Sequence, residues 1–291
     1  MIVQIEAKTL LSRVSGIDTF FGLDYGMNLY RGCQHRCIYC DSRSLCYGID
    51  AFDRDVLVKA NAIEVLTGEL RKKRKKGIIG TGSMNDPYMP LEERIELTRR
   101  ALKCIADYGF GVHVITKSDL VVRDIDVLRA ISRVSAAVSF TLTTVDDALA
   151  RVIEPGAPPP SARLRAMRRL SDAGIETRVA LMPILPFIED DWSDVAAIVT
   201  AAHECGARVV IPWFGLSMRD RQREHLYRCL DASFPGIRRR YERAFGDRYV
   251  CPSPHAAVLR DRTQQLCDTL GIAMDVKPLL APTVERLTLF E

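Results

Sequence analysis

Short apolar runs alternate with amphipathic segments along most of the chain after residue 77. The apolar runs have the length of buried strands, and the amphipathic segments repeat their apolar residues at helical spacing. Ser161, which follows three prolines, is a typical residue for a helix start. The pattern predicts strands over 77–81, 112–116, 136–142, 175–182 and 208–213, and helices over 91–108, 119–133, 161–173 and 192–205.

A repeating strand–helix order requires a parallel sheet with helices outside it. A first strand near 27–30 and a helix over 61–76 bring the number of repeats to about six, too few to close an eight-stranded barrel. We therefore expect an α/β fold, an open, partial (β/α)6 TIM-type barrel with a helical C-terminal extension. The expected division is an N-terminal segment over 1–25, the barrel over 26–215 and the extension over 216–291, with helices near 218–230, 236–245 and 254–270.

The composition is that of an ordinary globular chain. It has 291 residues, 47% of them hydrophobic, and a formal net charge of +4, which permits an acidic partner without requiring one. No stretch approaches the roughly 18 consecutive apolar residues of a membrane span, and the first residues lack the layout of a signal peptide. We expect a cytoplasmic protein that does not associate with a membrane.

Nine cysteines in such a chain should stay reduced, so disulfides do not explain them. Cys33, Cys37 and Cys40 lie within eight residues, whereas the other six are scattered and fit the packing of small apolar side chains. Thiolates bind iron–sulfur clusters or zinc. Structural zinc takes four ligands, for which His35 is the nearby candidate, but His35 lies awkwardly inside the loop. Three thiolates on a [4Fe–4S] cluster leave one iron open, and the triplet favours that interpretation.

The spacing of the triplet resembles the Cys-x3-Cys-x2-Cys hallmark of the radical S-adenosylmethionine (SAM) superfamily. The chain is similar in particular to the spore photoproduct lyase-like branch, also called DNA repair photolyase-like, from about Gly26 to Pro186. The similarity rests on motifs in a fixed order: Tyr30-Arg31-Gly32-Cys33 with Tyr39-Cys40, Asn85-Asp86-Pro87-Tyr88-Met89-Pro90 with Glu92 or Glu93, Thr116-Lys117-Ser118 with Arg123-Asp124, Ser139, Glu154-Pro155 with Arg163-Leu164, and Met182-Pro183-Ile184-Leu185-Pro186.

The resemblance implies a reaction and two cofactors, a [4Fe–4S] cluster and SAM. The reduced cluster gives one electron to the sulfonium of SAM, and the resulting 5′-deoxyadenosyl radical removes hydrogen from a substrate. An external electron donor such as flavodoxin or ferredoxin would supply the electron. Cys33, Cys37 and Cys40 would be the catalytic cluster ligands, and the cofactor-binding candidates are Tyr39, Ser83, Asn85, Asp86, Lys117, Ser139 and Met182. Asp86-Pro87 is also a good turn, so turn capping is the alternative role of Asp86.

Two positions depart from the family pattern. Spore photoproduct lyase uses a cysteine to return a hydrogen atom to the repaired thymine, and that position falls on Ser83 here. A serine O–H bond is much stronger than a thiol S–H bond, so Ser83 cannot replace that donor. The tyrosine that follows the third cluster cysteine in that family is replaced by Asp41. Repair of the spore photoproduct is therefore not the expected reaction, and Cys46 is a further donor candidate.

A nucleic-acid substrate is the favoured expectation, with a peptide or small metabolite as the alternative and a non-enzymatic zinc protein as the third. The basic run 71–76 and Arg238-Arg239-Arg240 would suit phosphate contacts, although a solvated helix end is the favoured explanation of the first. Arg286-Leu287-Thr288-Leu289-Phe290 resembles the peptide with which bacterial repair proteins bind the sliding clamp. A tail strand that docks on its own core is the other explanation of that segment.

Overall fold

An eight-stranded sheet with parallel strands at its centre dominates the structure, a computed structural model that describes residues 1–16, 18, 20–52 and 54–274. Its strand order is β13-β10-β9-β8-β7-β6-β3-β2, and every neighbouring pair is parallel except β2 with β3. These strands are β2 (Leu11–Arg13), β3 (Tyr25–Met27), β6 (Ile78–Thr81), β7 (Gly111–Thr116), β8 (Ala136–Thr141), β9 (Glu176–Leu181), β10 (Val209–Pro212) and β13 (Ala273–Met274). The run from β3 to β10 contains six parallel strands, so the expected α/β partial barrel is confirmed.

Continuous apolar runs form the central strands because both of their faces are covered. All six residues of β8 are buried, as are five of the six in β7, which is the pattern of a parallel sheet enclosed by helices. The helices that follow the strands are α1 (Ala62–Lys72), α2 (Glu92–Ile95), α3 (Leu97–Asp107), α4 (Ile125–Ile131), α5 (Asp147–Ile153), α6 (Pro160–Asp172) and α7 (Trp192–Glu204).

Three expected helices differ in detail from the structure. The segment 91–108 is two helices, α2 and α3, because Glu96 between them adopts a left-handed conformation with φ 48°. The segment 119–133 begins as a 3₁₀ helix over Asp119–Asp124 and becomes α-helical only at Ile125. The residue that precedes α6 is Pro159, and Ser161 lies in its first turn, where its hydroxyl donates to Asp147 over 2.6 Å.

Beyond the large sheet, the described residues form two smaller sheets. The first joins β1 (Ile2–Ile5), β5 (Val56–Lys59) and β4 (Tyr30–Arg31), so the N-terminal strand is anchored beside the segment that carries the cysteines. The second is the antiparallel pair β11 (Gly215–Ser217) and β12 (Val250–Pro252). These strands are too short for the apolar pattern of the sequence to mark them.

The described residues after β11, which end at 274, form three helices, α8 (Asp220–Ser233), α9 (Ile237–Phe245) and α10 (Ala256–Leu270). The last, α10, packs on α7, while α8 and α9 build a second apolar core with the cysteine segment. That core contains Cys37 and Tyr39 together with Leu226 and Tyr241. The helices of the C-terminal region therefore contact the part of the chain on which the chemistry was expected.

Among the described residues, we find no helix with both the length and the apolar character that crossing a membrane requires.

Candidate active site

The three clustered cysteines lie in a long loop between β4 and β5, at the carboxyl end of the barrel strands. Active sites of barrel folds gather at that end because the loops that follow the strands converge there. Cys33, Cys37 and Cys40 are free thiols that line one cavity of about 110 Å³. The opposite wall comes from the ends of β6, β7 and β8: Gly82, Ser83, Met84, Asn85, Asp86, Ile115, Thr116, Lys117 and Thr141.

Gly82 shows how closely these strand ends approach one another. Its φ is +105°, and a Cβ at this position would lie 2.0 Å from the carbonyl oxygen of Ile115. Only glycine tolerates both the conformation and the contact, so the turn after β6 can bring Ser83 and Asn85 to the cavity. The Asn85 side chain then donates to the Tyr30 carbonyl over 2.8 Å, which joins this turn to the start of the cysteine loop.

Asp86 connects three parts of the site. Its Oδ1 accepts from the Tyr88 amide over 2.9 Å and from the Thr116 hydroxyl over 2.7 Å, and its Oδ2 accepts from the Lys117 amide over 2.6 Å. His35 Nδ1 lies 3.3 Å from the same Oδ2. Although burial alone would raise it, His35 and these hydrogen bonds lower the pKa of Asp86 to about 2. Asp86 is an ionised carboxylate that holds the cysteine loop against β6 and β7.

A buried chain of polar groups runs along the other side of the cavity. The Tyr39 hydroxyl donates to Glu154, and Glu154 Oε2 lies 2.5 Å from an Arg163 guanidinium nitrogen. Glu154 and Arg163 are each 1% exposed, so removal of one partner would leave a buried charge unpaired, at a cost of about 3–5 kcal/mol. Arg163 also donates to the carbonyl of Thr141 over 3.1 Å. The network therefore fixes the Tyr39 ring beside the thiols.

Lys117 is the cation that faces the thiols. Its Nζ lies 5.6 Å from the centre of the Tyr39 ring. Burial opposes a charged ammonium, but Cys37 once its thiol is ionised, together with the carboxylates of Glu154 and Asp86, outweighs it and raises the pKa of Lys117. An ammonium in this wall is suited to an anionic group of a ligand.

The comparison with known proteins agrees with this geometry. Residues 27–202 match the radical SAM superfamily, a span that includes all three cysteines and the strand ends of the cavity. The chain belongs to the radical SAM superfamily. It is 30% identical over 261 residues to an uncharacterised protein of Mycobacterium tuberculosis, covering 87% of this chain and 76% of that one. It is also 34% identical over 191 residues to an uncharacterised protein of Methanocaldococcus jannaschii, covering 65% and 70% of the two chains.

Solved structures of spore photoproduct lyase share the radical SAM fold of this chain. One, a complex with the dinucleoside spore photoproduct, has a TM-score of 0.70 at 16% identity and covers 94% of this chain and 81% of that one. Another, a double mutant with AdoMet and the dinucleoside photoproduct bound, has a TM-score of 0.69 at 15% identity. The likeness in fold confirms the expected partial barrel.

The donor set of the cavity fits a radical SAM cluster. Burial raises the pKa of all three thiols, that of Cys33 to about 12, so the cysteines are protonated without a metal. Iron would supply the positive charge that deprotonates them. Within the part of the chain that the structure describes, no group of three or more His, Cys, Asp or Glu side chains is placed to hold a single metal ion.

The structure brings most of the predicted cofactor residues together. Tyr39, Ser83, Asn85, Asp86 and Lys117 line the cavity with the cysteines. Since both oxygens of Asp86 accept hydrogen bonds from the protein, including one in the turn to Tyr88, the turn-capping role is present. The contacts of these side chains with SAM stay predictions.

Among the side chains that the structure describes, those of Ser139 and Met182 do not line the cavity. Ser139 is fully buried deeper in the barrel, where its hydroxyl lies 2.7 Å from His113 Nε2. A ribose contact from Ser139 therefore has no support in its position. Thr141, two residues further along β8, lines the cavity and was missed by the sequence analysis. Strand alternation was the available signal, because residues two apart share a face.

The predicted nucleic-acid contacts lie away from the cavity. The basic run 71–76 precedes β6 and so lies at the amino end of the strands, where Lys73 and Lys76 cover the rings of Tyr25 and Phe110. Arg238 of α9 pairs with Asp231 and Glu242, and the Arg240 guanidinium lies 4.2 Å from the centre of the Phe187 ring. Cys46 lies on the surface, where its sulfur contacts Arg219 over 3.3 Å. The proposed clamp-binding segment, Arg286 to Phe290, lies outside the described residues.

Proposed function

We propose that this protein is a radical SAM enzyme that cleaves SAM reductively at a [4Fe–4S] cluster to form a 5′-deoxyadenosyl radical for hydrogen abstraction. The convergence of three free thiols with the polar ends of three parallel strands on one cavity carries the proposal. The cluster and SAM together would supply the one-electron chemistry that no protein side chain provides.

The residues of the cavity have distinct tasks in this proposal. Cys33, Cys37 and Cys40 hold the cluster and leave one iron open. Lys117 offers a positive charge to the carboxylate of SAM, and Tyr39 offers an aromatic face near its adenine. Asn85 and Asp86 keep the turn after β6 in place, and Thr141 presents a hydroxyl for the ribose.

Anaerobic reconstitution tests the cluster and the cleavage together. The wild-type chain should bind about four irons and convert SAM to 5′-deoxyadenosine under reduction. Separate Ala replacements of Cys33, Cys37 and Cys40 should abolish both, whereas Cys104→Ala, a half-buried cysteine on α3, should change neither. If SAM cleavage survived the three replacements, the assignment of Cys33, Cys37 and Cys40 as catalytic cluster ligands would be wrong.

A nucleic-acid-related substrate is the class that we propose. The likeness in fold to a lyase solved with a dinucleoside photoproduct supports it. Ser83, at the mouth of the cavity, supports a reaction other than spore photoproduct repair, because its hydroxyl cannot return a hydrogen atom as a thiol does.

Incubation of the reconstituted enzyme with damaged and undamaged DNA, followed by mass spectrometry of the bases, tests the substrate class. We expect a base whose mass changes only when SAM and a reductant are present. DNA binding should also weaken steeply with added salt. Unchanged bases in every DNA, with no binding in dilute buffer, would move the substrate to a peptide or a small metabolite.

A further inference from the structure

The cysteine loop has a second accessible side, away from the SAM cavity. Ile49 and Phe52 form one apolar cluster with Cys33, and Cys40 packs against that cluster. The same two side chains also line surface depressions, and Cys33 itself lines one of them. A layer one side chain thick therefore separates the cluster position from solvent here.

Arginines surround this thin cover. Arg43, Arg221 and Arg228 line one depression beside Ile49 and Phe52, and Arg36 and Arg54 line the other beside Phe52 and Cys33. The Arg43 guanidinium lies 4.7 Å from the centre of the Phe52 ring. Among the described residues of the two linings, the carboxylates are Asp50 and Asp55, and Asp55 is bound to Arg54 and to the terminal amino group. The charges of these described lining residues sum to a positive value.

We propose that this surface, Arg36, Arg54, Arg221 and Arg228 around Ile49 and Phe52, is the docking face for an acidic one-electron carrier protein that reduces the cluster. We call it the electron-entry face. The inference rests on the proposed function, and it identifies where the electron needed for SAM cleavage enters the protein. One electron leaves the carrier, which is oxidised by one equivalent, and reduces the cluster from the 2+ to the 1+ state, with no transfer of a proton or a group.

Geometry favours a carrier protein over nucleic acid as the occupant. The SAM cavity and the two surface depressions of the electron-entry face share Cys33 alone among their described lining residues. A substrate must reach the radical on the SAM side, whereas an electron must reach the cluster by a short path, and the electron-entry face provides the short path. An apolar centre over the redox group within a charged rim suits a brief, electrostatically steered encounter.

A charge reversal with a matched control tests the face. Arg36 and Arg228 are both exposed, and Arg36→Glu with Arg228→Glu inverts the rim without touching the cavity. The control is Arg133→Glu with Arg169→Glu, which makes the same charge change at exposed positions near the ends of α4 and α6. Those positions lie at the amino end of the barrel strands.

The probe is a reduced acidic flavodoxin, compared with photoreduced deazaflavin, a small neutral reductant. At low ionic strength, the rim variant should bind oxidised flavodoxin more weakly and accept electrons from the reduced form roughly tenfold more slowly than wild type, a difference that salt should erase. Deazaflavin should reduce the wild type, the rim variant and the control variant equally fast. Stopped-flow absorbance of the cluster and calorimetric titration of the complex provide the two measurements.

Each other outcome overturns a different claim. If flavodoxin reduced and bound the rim variant and the control variant equally well, the electron-entry face would be refuted. SAM cleavage with deazaflavin would be unaffected by that result. A rim variant that loses affinity for single-stranded DNA, with unchanged flavodoxin reduction, would reassign the surface to nucleic acid. A chain that assembles its cluster but cleaves no SAM with deazaflavin would refute the proposed function, whatever the rim variant does.

Discussion

At the scale of single residues, two hydroxyl side chains on the inner face of β8 have different roles. Thr141 lines the SAM cavity, and Ser139 pairs with His113 deeper in the barrel. Thr141→Val keeps the shape and removes the hydroxyl, so SAM affinity should fall by roughly tenfold, as the loss of one buried hydrogen bond predicts. Ser139→Ala is the control and should leave that affinity unchanged in equilibrium dialysis. The reverse order of effects would restore Ser139 as the ribose contact.

His113 makes the stability of the barrel sensitive to acid. Burial and, secondarily, the nearby Arg178 lower the pKa of His113 to about 3, below its ordinary value near 6.5. Below pH 6.5 the unfolded chain takes up a proton that the folded chain refuses, so stability falls toward pH 3 by up to about 1.4 kcal/mol per pH unit.

The variant His113→Gln keeps a group that hydrogen-bonds Ser139 and removes the titration. Above pH 6.5, the unfolding free energies of wild type and variant in urea should therefore differ by a constant amount. Below pH 6.5, the unfolding free energy of wild type should fall relative to that of the variant. Parallel curves between pH 6.5 and pH 4 would show that His113 does not control the acid response.

At the scale of elements, the end of α5 and the loop between α5 and α6 support the cysteine loop. The Ile38 amide donates to the Ile153 carbonyl and the Gly156 amide to the His35 carbonyl, both over 2.9 Å. A Cβ on Gly156 would lie 2.2 Å from the carbonyl oxygen of Gln34, a backbone atom with no room to move. Gly156 therefore lies in direct contact with the cysteine loop, and its lack of a side chain allows that contact.

Gly156→Ala should push the cysteine loop away from this support. We expect a loss of about 1–3 kcal/mol in unfolding free energy and less iron bound after reconstitution. Gly68→Ala is the matched control: that position on α1 has no atom within 4 Å of the added Cβ, and alanine should stabilise the helix by about 0.5–1 kcal/mol. Full iron loading of the Gly156 variant would contradict the supporting role.

Elements with long, uniform patterns were predictable, and those that depend on distant partners were not. The central strands β6 to β10 follow from apolar runs, and the cysteines follow from their spacing along the chain. The break at Glu96 and the strands β1 and β4 have no local signal, since a single backbone angle and a distant strand create them. Glu154 and Arg163 could be named from the sequence as parts of two motifs. Their buried ion pair could not be predicted, because the fold alone brings the two side chains together.

The molecule as a whole couples the C-terminal helices to the cluster position. Gln222 of α8 donates to the Tyr39 carbonyl over 3.1 Å, and Leu226, one turn further, lies in the apolar core that contains Cys37. Leu102 of α3 is equally buried but belongs to the core of the barrel, which contains none of the three cluster cysteines. The two leucines offer a comparison of equal chemistry at different places.

Leu226→Ala and Leu102→Ala should each lower the unfolding free energy by about 2–5 kcal/mol, because each leaves a cavity in a packed core. They should differ in iron retention. Under native conditions, the Leu226 variant should lose iron to a chelator faster than wild type, since the space opens beside the segment that carries Cys37. The Leu102 variant should lose iron at the wild-type rate as long as it remains folded. Equal rates for the two variants would mean that the helices after β11 cover the barrel without holding the cysteine loop in place.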